Sequence, residues 1–300
     1  HSWPSFGWDN EYGHEKRQVT DFRTSKFLIS NGEFFEFVKS GGYEEKKHWS
    51  DSGWGWRQFR NVKWPTFWVQ DGPAGSNKFK LRSTFAELPM QWSWPAVVNF
   101  YEAKAYCHWL SEKEGVETPY RLLQESEHQA IRGPEIGKAS DWPGGGDSLL
   151  AYDQVMNSTE LYSINHNLRF GSEGAVDSFA ANENGVYDAQ GNVWQWCEDA
   201  FHELPDFEIH PLYTDFSTPC FDGEHQMMLG GSFISTGDEA SIWARFQFRP
   251  HFFQHAGFRV TQEIAELTKK GDKYDTDAVV SQYLLFHYGS AEEQRDTAIS

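Results

Sequence analysis

The sequence is poor in cysteine, has few basic residues for its size and contains no long apolar run. Its three cysteines, Cys107, Cys197 and Cys220, lack the spacing of a metal site and would leave one thiol over in any disulfide pairing. They predict a reducing, cytoplasmic compartment in which buried thiols are inert. No stretch of about 18 apolar residues predicts a transmembrane helix, and the first residues lack a signal-peptide pattern, so no membrane partner is expected.

The charge balance excludes another class of partner. Lysine and arginine number 26 against 44 aspartate and glutamate residues, which gives a net charge of −18. Recognition of phosphate groups needs a basic surface, so the chain is not expected to bind nucleic acid. An acidic excess of this kind is typical of surfaces that favour solubility.

Aromatic residues, by contrast, are abundant. They make up 17% of the 300 residues and include 14 Trp and 24 Phe. Large buried rings stabilise loops that have few ladder hydrogen bonds. The composition therefore predicts a packed, loop-rich globule that forms one large domain or two ordinary ones. Because the chain begins with His1 instead of Met, we expect it to be part of a longer protein.

The first sixty residues predict strands, one helix and a loop. Residues 17–29 alternate between apolar and polar side chains, as strands do. Ser30 then offers an N-cap ahead of apolar positions that form a short helical face. Residues 41–63 are dominated by Trp, Gly and charge without a usable period, and they predict an ordered loop.

Two further helices are expected in the middle of the chain. Apolar residues repeat at intervals of three and four from Asn99 or Phe100 to Glu114, where Gly115 stops the pattern. A shorter helix is predicted over about residues 123–131. These two segments carry the clearest helical signals in the sequence.

The second half of the chain is rich in turn residues. Residues 133–190 are dominated by Gly, Asn, Ser and Asp, which favours long loops. Short strands are predicted at residues 193–197, 227–233, 244–248 and 257–261. Beyond Thr261 the character changes, and apolar positions within residues 274–289 mark one face of a helix.

Three glycine-containing turns occur in a fixed order near the carboxyl end. Gly185-Val-Tyr-Asp-Ala-Gln-Gly-Asn-Val-Trp-Gln-Trp-Cys197 is followed by Leu229-Gly-Gly-Ser-Phe233 and then by His255-Ala-Gly-Phe-Arg-Val260. Each places Gly where a backbone turns sharply, next to a large ring that can seal the turn against a core. Three such turns in one order indicate a specific fold.

This order of turns resembles the formylglycine-generating-enzyme-like domain, a large elaboration of the C-type-lectin fold. The resemblance covers about residues 1–262 and implies an α+β fold, rich in loops, with short strands and a few helices. Residues 263–300 then resemble a helical linker toward a methyltransferase domain that this chain does not include. A terminal helix that packs on the same domain is the alternative for that segment.

Segments at the amino end resemble one branch of the family, the ergothioneine and ovothiol sulfoxide synthases. They are Phe6-Gly-Trp-Asp-Asn-Glu11, Ile29-Ser-Asn-Gly-Glu-Phe-Phe35 and Gly41-Gly-Tyr43. Three other segments resemble the ovothiol side, the 5-histidylcysteine sulfoxide synthases. They are Asp71-Gly-Pro-Ala-Gly-Ser-Asn-Lys78, Thr218-Pro-Cys-Phe-Asp-Gly223 and Arg245-Phe-Gln-Phe-Arg-Pro-His-Phe-Phe-Gln-His-Ala-Gly-Phe-Arg259. The resemblance implies an Fe(II)- and O₂-dependent enzyme that joins cysteine to histidine and oxidises the sulfur in ovothiol biosynthesis.

The iron ligands implied by this resemblance do not occur in the sequence. In these synthases Fe(II) is held by a His-x-x-x-His-x-Glu arrangement on an amino-terminal helical domain, and residues 1–300 contain no such arrangement. We therefore expect the iron to be bound mainly by a domain outside this chain, and the isolated chain to be inactive. No residue of the chain is assigned as a metal ligand.

His251 and His255 have the i,i+4 spacing that places two imidazoles on one face of a helix. Two Phe lie between them, and Ala256-Gly257 follow where a helix would have to continue. Hydrogen bonding at a pocket wall or plain packing is therefore favoured over metal binding. We predict that His251 lies at the substrate wall.

The resemblance implies a substrate-binding wall at Arg245, Phe246, Gln247 and Phe248. The aligned segment of ergothioneine-type enzymes commonly has the residues Arg-Asn-Trp-Asp, which contact the amino-acid substrates. Here the amide and the carboxylate are absent, and this difference fits an enzyme that takes histidine and cysteine. Alternating strand packing is the other interpretation of the two Phe.

Tyr213 lies in the region from which the family supplies an active-site tyrosine. A phenol beside the reacting oxygen can donate a proton or a hydrogen bond, and so favour sulfoxide formation over simple thiol oxidation. Tyr213 is therefore the predicted catalytic residue. An ordinary turn tyrosine is the alternative.

Other functions stay open at this stage. Residues Asn184 to Asn192 supply oxygen atoms of the kind that hold structural calcium in related domains, although a turn explains them equally well. A non-catalytic, lectin-like binding module would need Trp49, Trp54 and Trp56 to form an open patch. A formylglycine-generating oxidase would need a pair of cysteines near its carboxyl end, and no cysteine follows Cys220.

Overall fold

The computed structural model describes residues 7–13, 15, 17–132, 164–182, 184–253 and 255–264. The helix predicted within residues 274–289, and the rest of the predicted linker after residue 264, lie outside the described residues. So do residues 133–163 of the predicted loop region. Within the described part of the chain, no helix is both long and apolar enough to cross a membrane.

The described residues contain four α-helices. They are α1 (Asn31–Lys39), α2 (Asp51–Arg60), α3 (Phe100–Glu114) and α4 (Glu125–Arg132). The predicted start of α1 and both predicted ends of α3 are confirmed, and α4 begins two residues later than predicted. The loop predicted for residues 41–63 was wrong, because α2 occupies its centre.

Local capping chemistry sets the ends of α3. The Asn99 side chain accepts a hydrogen bond from the Glu102 N–H at 3.0 Å, and the Glu102 carboxylate accepts one from the Asn99 N–H at 2.9 Å. This reciprocal pair satisfies two of the donors that a helix start leaves open. Gly115 ends the helix in the left-handed conformation, with φ of +62°.

Among the residues that the structure describes, nine short strands form three small sheets. The strands are β1 (Phe22–Thr24), β2 (Trp68–Gln70), β3 (Phe79–Arg82), β4 (Glu87–Pro89), β5 (Trp194–Ala200), β6 (Gln226–Leu229), β7 (Phe246–Phe248), β8 (Ala256–Gly257) and β9 (Thr261–Glu263). β1 pairs with β9, β2 to β4 form an antiparallel meander, and the largest sheet has the order β7, β6, β5, β8. Three sequence predictions were wrong in extent: residues 17–29 supply only β1, the strand predicted at residues 227–233 ends at Leu229, and residues 258–260 separate β8 from β9 where one strand was predicted.

The main core lies between the helices and the largest sheet. Phe34 of α1 stacks on Tyr106 of α3 at 5.4 Å between ring centroids, and both rings contact Phe258 edge to face. Trp196 of β5 is 1% exposed and donates its indole N–H to the Val98 carbonyl at 2.9 Å. Buried rings therefore supply the packing that the short strands alone would not.

In the first two of the three ordered turns, a positive φ and the close approach of neighbouring atoms require glycine. Gly191 has φ of +80°, and a Cβ there would lie 2.9 Å from the Asn165 carbonyl oxygen. Gly230 has φ of +92°, and a Cβ there would lie 2.9 Å from the Gln195 side chain. Since Gly191 N–H also donates to the Gly230 carbonyl at 2.7 Å, the first two turns are packed directly against each other.

Buried Glu102 makes the stability of the fold depend on pH. Burial raises its pKa from 4.5 to about 7, although hydrogen bonds from the Tyr43 hydroxyl and the Asn99 N–H oppose this shift. Between these two pH values the unfolded chain has lost a proton that the folded chain still binds. Glu102 is therefore expected to lower the free energy of unfolding by about 3 kcal/mol as pH rises from 4.5 to 7, and its contribution levels off above that range.

This pH effect is tested by urea unfolding of wild type and Glu102→Gln across that range. The substitution removes the titrating group, so we expect a shallower pH dependence for the variant. Asp188 is a matched case, since burial raises its pKa to about 7 as well, and Asp188→Asn is expected to remove a separate part of the slope. Parallel curves for wild type and Glu102→Gln would contradict the assignment.

Candidate functional site

The predicted substrate wall is β7, the outermost strand of the largest sheet. Side chains alternate along a strand, so Phe246 and Phe248 share one face and Gln247 points to the other. The Phe246 ring stacks on Trp194 at 5.5 Å, and the Phe248 ring stacks on Phe252 at 4.3 Å. Both rings are half-buried. Both rings pack against neighbouring aromatic rings, as the interpretation of alternating strand packing requires. Their contact with substrate remains a prediction.

Arg245 lies directly before this strand and is only 4% exposed. Its guanidinium donates two hydrogen bonds to the Glu125 carboxylate, at 2.7 and 3.1 Å, in a bidentate ion pair. Further hydrogen bonds go to the carbonyl oxygens of Asn10, at 2.6 Å, and His202, at 3.1 Å. Arg245 thus joins β7 to α4, to the amino-terminal segment and to the chain after β5, which indicates a role in holding the wall.

Tyr213 lies in an irregular loop, residues 207–217, which we call the tyrosine loop. Its side chain is 46% exposed, and its N–H donates to the His210 carbonyl at 3.2 Å. The ring packs against Phe216, at 5.4 Å, and against Trp8, at 5.8 Å. The phenol is therefore available to a ligand while its ring is held on two sides.

The structure connects the tyrosine loop to β7 in two ways. The Cys220 thiol donates to the Phe216 carbonyl at 3.7 Å and lies close to the side chain of Gln247 in β7. Asn10 accepts a hydrogen bond from Arg245 through its carbonyl and donates one to Ser217 through its side chain. The predicted catalytic and substrate-binding positions are thus parts of one connected region.

His251 and His255 do not share a helix. His251 is exposed beside Phe252, with ring centroids 6.5 Å apart. His255 is half-buried, its ring lies edge-on to Phe233, and its Nδ1 is 3.4 Å from the Glu173 carboxylate. The i,i+4 spacing therefore does not produce a pair of adjacent imidazoles, and the substrate-wall role of His251 remains a prediction.

A group of charged residues lies next to the wall. Arg249 contacts Asp222 at 3.0 Å and also pairs with Glu224. His225 lies 3.0 Å from the Asp222 carboxylate, and its hydrogen bond is the main reason why the pKa of Asp222 is held well below its ordinary value. These residues were not predicted from the sequence, because their pairing arises only when β6 and β7 lie side by side in the sheet.

An open cleft of about 640 Å³ lies on the side of His202. Its lining consists of Glu15, Arg17, His202 and residues 203–207. The His202 Nε2 atom is 3.3 Å from an Arg17 nitrogen, and Nδ1 is 3.0 Å from the Ala200 carbonyl. Nε2 also lies 3.6 Å from the Glu125 carboxylate, so His202 connects this cleft to the ion pair of Arg245 and Glu125. None of the predicted site residues lines this cleft.

The described residues do not by themselves fit an iron ion. Among them, no group of three or more His, Cys, Asp and Glu side chains is arranged to hold a metal. The thiols are also poor ligands, since burial raises the pKa of Cys107 to about 12 and raises that of Cys197 well above its ordinary value. All three cysteines are free.

Comparison with known proteins decides the family. Residues 4–264 match the model of the sulfatase-modifying factor enzyme 1-like domain. The chain belongs to this family. The α+β fold and the formylglycine-generating-enzyme-like architecture predicted from the sequence are thereby confirmed. Among solved structures, variable protein 1 of Treponema denticola is similar in fold, with a TM-score of 0.50 and 18% identity over 81% of this chain and 84% of that protein.

Two proteins that are similar to this chain have names that indicate a chemistry or a pathway. The hercynine oxygenase of Mycobacterium tuberculosis is 27% identical over 226 residues, which are 75% of this chain and 48% of the relative. Ergothioneine biosynthesis protein 1 of Schizosaccharomyces pombe is 24% identical over 267 residues, 88% of this chain and 28% of the relative. The chain therefore spans about half, or less, of the length of the relatives it matches.

Several residues that hold this site together were not predicted from the sequence. Asp9, Asn10, Ser217, Glu125 and His202 received no role, although all of them contact the predicted positions or their partners. One signal was available, because the segment Phe6-Gly-Trp-Asp-Asn-Glu11 places two short polar residues within an aromatic run. Their partners lie more than 200 residues away, so the signal gave no indication of the contact.

Proposed function

We propose that this chain is the substrate-cleft domain of an Fe(II)- and O₂-dependent sulfoxide synthase that joins cysteine to histidine. The observation that carries the proposal is the connected region formed by β7 and the tyrosine loop, in a chain related to a hercynine oxygenase. Tyr213 is the proposed catalytic residue. Arg245, Phe246, Gln247, Phe248 and His251 form the proposed substrate wall.

The overall reaction balances without an external reductant. The imidazole C–H bond of histidine and the S–H bond of cysteine break, while a C–S bond and an S=O bond form. These changes release four electrons and two protons. One atom of O₂ becomes the sulfoxide oxygen, and the other leaves as water with the two protons.

The composition of the wall supports histidine as the imidazole substrate. Phe246 and Phe248 occupy the positions at which ergothioneine-type enzymes commonly have Asn and Asp. Two aromatic rings at these positions change the polarity of the wall, so a substrate other than hercynine is proposed for this chain. A comparison of the coupling rates with histidine and with hercynine therefore tests the proposed substrate.

We propose that other parts of the parent protein complete the site. The described residues do not fit iron, so its ligands are assigned to an amino-terminal helical domain outside this chain. Two apolar side chains of the tyrosine loop are exposed, Leu212 at 90% and Ile209 at 48%. Their exposure supports the proposal that another part of the parent protein covers this surface. Residues 263–300 are proposed to lead into a methyltransferase domain, and a reducing cytoplasmic compartment fits the free thiols.

Structural calcium is a separate proposal for the turn at residues 184–192. Asp188 is 5% exposed, and its Oδ1 atom is buried without a hydrogen-bond partner. Asn192 donates to the other carboxylate oxygen at 3.0 Å. An oxygen-binding cation would satisfy the unpaired atom, and Asp188 would be its acidic ligand.

The structure does not support the alternative of a binding module, which would need three tryptophans to form an open patch. Trp49 is 6% exposed and donates its indole N–H to the Gly42 carbonyl at 2.8 Å. Trp54 and Trp56 are half-buried and pack against the main core. These rings therefore do not form the open patch that such a module would use.

The proposed function is tested by oxygen consumption with Fe(II), histidine and cysteine, with products identified by mass. The chain is assayed alone and joined to the amino-terminal part of its parent protein. We expect coupled sulfoxide from the joined form only, with one O₂ consumed per product. Activity of the isolated chain would overturn the assignment of the iron ligands to another domain, and no coupling in either form would overturn the function.

A substrate arm of the same assay distinguishes the ovothiol type from the ergothioneine type. Histidine and hercynine are supplied separately with cysteine, at equal concentrations. Faster coupling with histidine is expected. Faster coupling with hercynine would replace the proposed substrate while leaving the class of reaction intact.

A further inference from the structure

The amino-terminal segment Trp8–Glu11 lies between the tyrosine loop and the wall. Asp9 is 2% exposed and Asn10 is fully buried. The segment closes on itself, since the Trp8 N–H donates to the Glu11 carboxylate at 2.9 Å and the Glu11 N–H donates to the Trp8 carbonyl at 3.0 Å. It is therefore a compact turn with its polar side chains directed inward.

The carboxylate of Asp9 binds the tyrosine loop at two positions, one on each side of Tyr213. One oxygen accepts a hydrogen bond from the Ser217 hydroxyl, and the other accepts one from the His210 N–H at 3.3 Å. Ser217 is fully buried and also accepts a hydrogen bond from the Asn10 side chain at 3.1 Å. Because His210 and Ser217 flank Tyr213, the two bonds fix the residues on either side of the phenol.

The ring of Trp8 supports the same loop from one face. It stacks on Phe216 with ring centroids 3.9 Å apart and planes inclined by 21°, and it lies 5.8 Å from the ring of Tyr213. Within the loop itself, Leu212 is 90% exposed and supplies no packing. The contacts with Trp8 and Asp9 therefore supply much of the support for the part of the loop around Tyr213.

The segment also reaches the opposite side of the site. The Asn10 carbonyl accepts a hydrogen bond from the buried guanidinium of Arg245, the residue before β7. The same three residues thus contact the loop that carries the phenol and the base of the strand that forms the wall. A shift of this segment would move the two parts relative to each other.

We propose that Trp8, Asp9 and Asn10 position Tyr213 against the substrate wall, with Asp9 as the main positioning residue. The inference rests on the proposed function for its catalytic consequence, and on the contacts above for the anchoring itself. The physical reason is proximity, because a displacement of about 1 Å between reacting groups can lower a rate by about 100-fold. Asp9 itself is not expected to contact substrate.

Hydrogen exchange on this chain tests the anchoring without any activity. The variants are Asp9→Ala and the milder Ser217→Ala, with Asp51→Ala as the matched control at an acidic residue whose side chain is 93% exposed. We expect the amides of His210 and Tyr213 to exchange at least about 10-fold faster in the first two variants and at the wild-type rate in the control. Unchanged amides of α3 would show that the fold is intact.

A double-mutant cycle in the joined protein tests the effect on Tyr213. Asp9→Ala and Ser217→Ala are expected to lower kcat by about 10- to 100-fold with little change in KM, because they affect orientation and not binding. In a Tyr213→Phe background the same substitutions should cost less than about threefold, since the group that they position is gone. A merely structural role would reduce the rate by the same factor in both backgrounds.

The two experiments separate failure of this inference from failure of the proposed function. Wild-type exchange at His210 and Tyr213 in both variants would overturn the anchoring. Faster exchange together with equal rate losses in the two backgrounds would overturn the positioning of Tyr213. A wild-type rate for Tyr213→Phe alone would instead remove the catalytic role of Tyr213, whatever the exchange results.

Discussion

Replacing Arg245 by alanine is expected to lower the free energy of unfolding by about 3–5 kcal/mol, the usual cost of breaking a buried ion pair. The guanidinium is 4% exposed and forms a bidentate pair with Glu125. Its loss leaves the Glu125 carboxylate in a largely buried position without its cation. It also leaves the carbonyl oxygens of Asn10 and His202 without this donor. Urea unfolding of the chain measures the effect.

Arg249→Ala is the matched control for this prediction. Arg249 also pairs with two carboxylates, but its side chain is 41% exposed, so its loss should cost only about 0–1 kcal/mol. A double variant, Arg245→Met with Glu125→Leu, removes both charges and should recover part of the lost stability. A loss below about 1 kcal/mol for Arg245→Ala would contradict the structural role given to this residue.

Tyr213→Phe is expected to lower the rate of sulfoxide formation in the joined protein by about 100- to 10,000-fold, the range typical of a general acid or base. The substitution keeps the ring that packs against Trp8 and Phe216 and removes only the hydroxyl. Under the proposed function the variant still binds the substrates, so oxidised cysteine without a C–S bond should become a larger fraction of the product. Product analysis by mass measures both quantities.

The control for this prediction is Tyr120→Phe. Its hydroxyl donates to Glu114 at 2.6 Å at the end of α3, far along the chain from the tyrosine loop, so its loss should leave the product ratio unchanged. A Tyr213→Phe variant with the wild-type rate and product ratio would show that Tyr213 is an ordinary turn tyrosine. The substrate wall would then need another proton donor.

Local signals determined the helices that the sequence predicted correctly. Asn99 and Gly115 set the ends of α3 through groups that lie within a few residues of each other, so the pattern was complete in the sequence. The same holds for Ser30 at the start of α1, which accepts a hydrogen bond from the Glu33 N–H. Such ends need no information about the rest of the fold.

The helix α2 was missed because two glycines, Gly53 and Gly55, weaken its pattern in the sequence, and the first of them has a tertiary cause. Gly53 lies against α3, and a Cβ there would come within 3.2 Å of Tyr101. Glycine weakens the helical pattern in the sequence, while in the structure it permits the close packing of two helices. The capping bond from the Gly53 N–H to the Ser50 hydroxyl, at 3.1 Å, was present but carried too little weight alone.

In the candidate site, too, local motifs were predictable from the sequence and long-range contacts were not. Resemblance to a family indicated Tyr213 and residues 245–248, because their motifs are contiguous in the chain. It did not indicate that Arg245 would be buried against Glu125, which is 120 residues away, or that Asp9 would bind Ser217 across 208 residues. These contacts give Arg245 and Asp9 supporting positions around the predicted site residues.

The sequence by itself determined the family, the ends of the main helices and the position of the sharp glycine turns. Each of these depends on short-range chemistry: a capping side chain, a backbone conformation that suits glycine, or a motif of adjacent residues. Only the tertiary structure decided that Trp8, Asp9 and Asn10 lie between Tyr213 and β7. That arrangement results from burying polar groups that must find partners once water is excluded, and the partners are chosen by the packing of the whole chain.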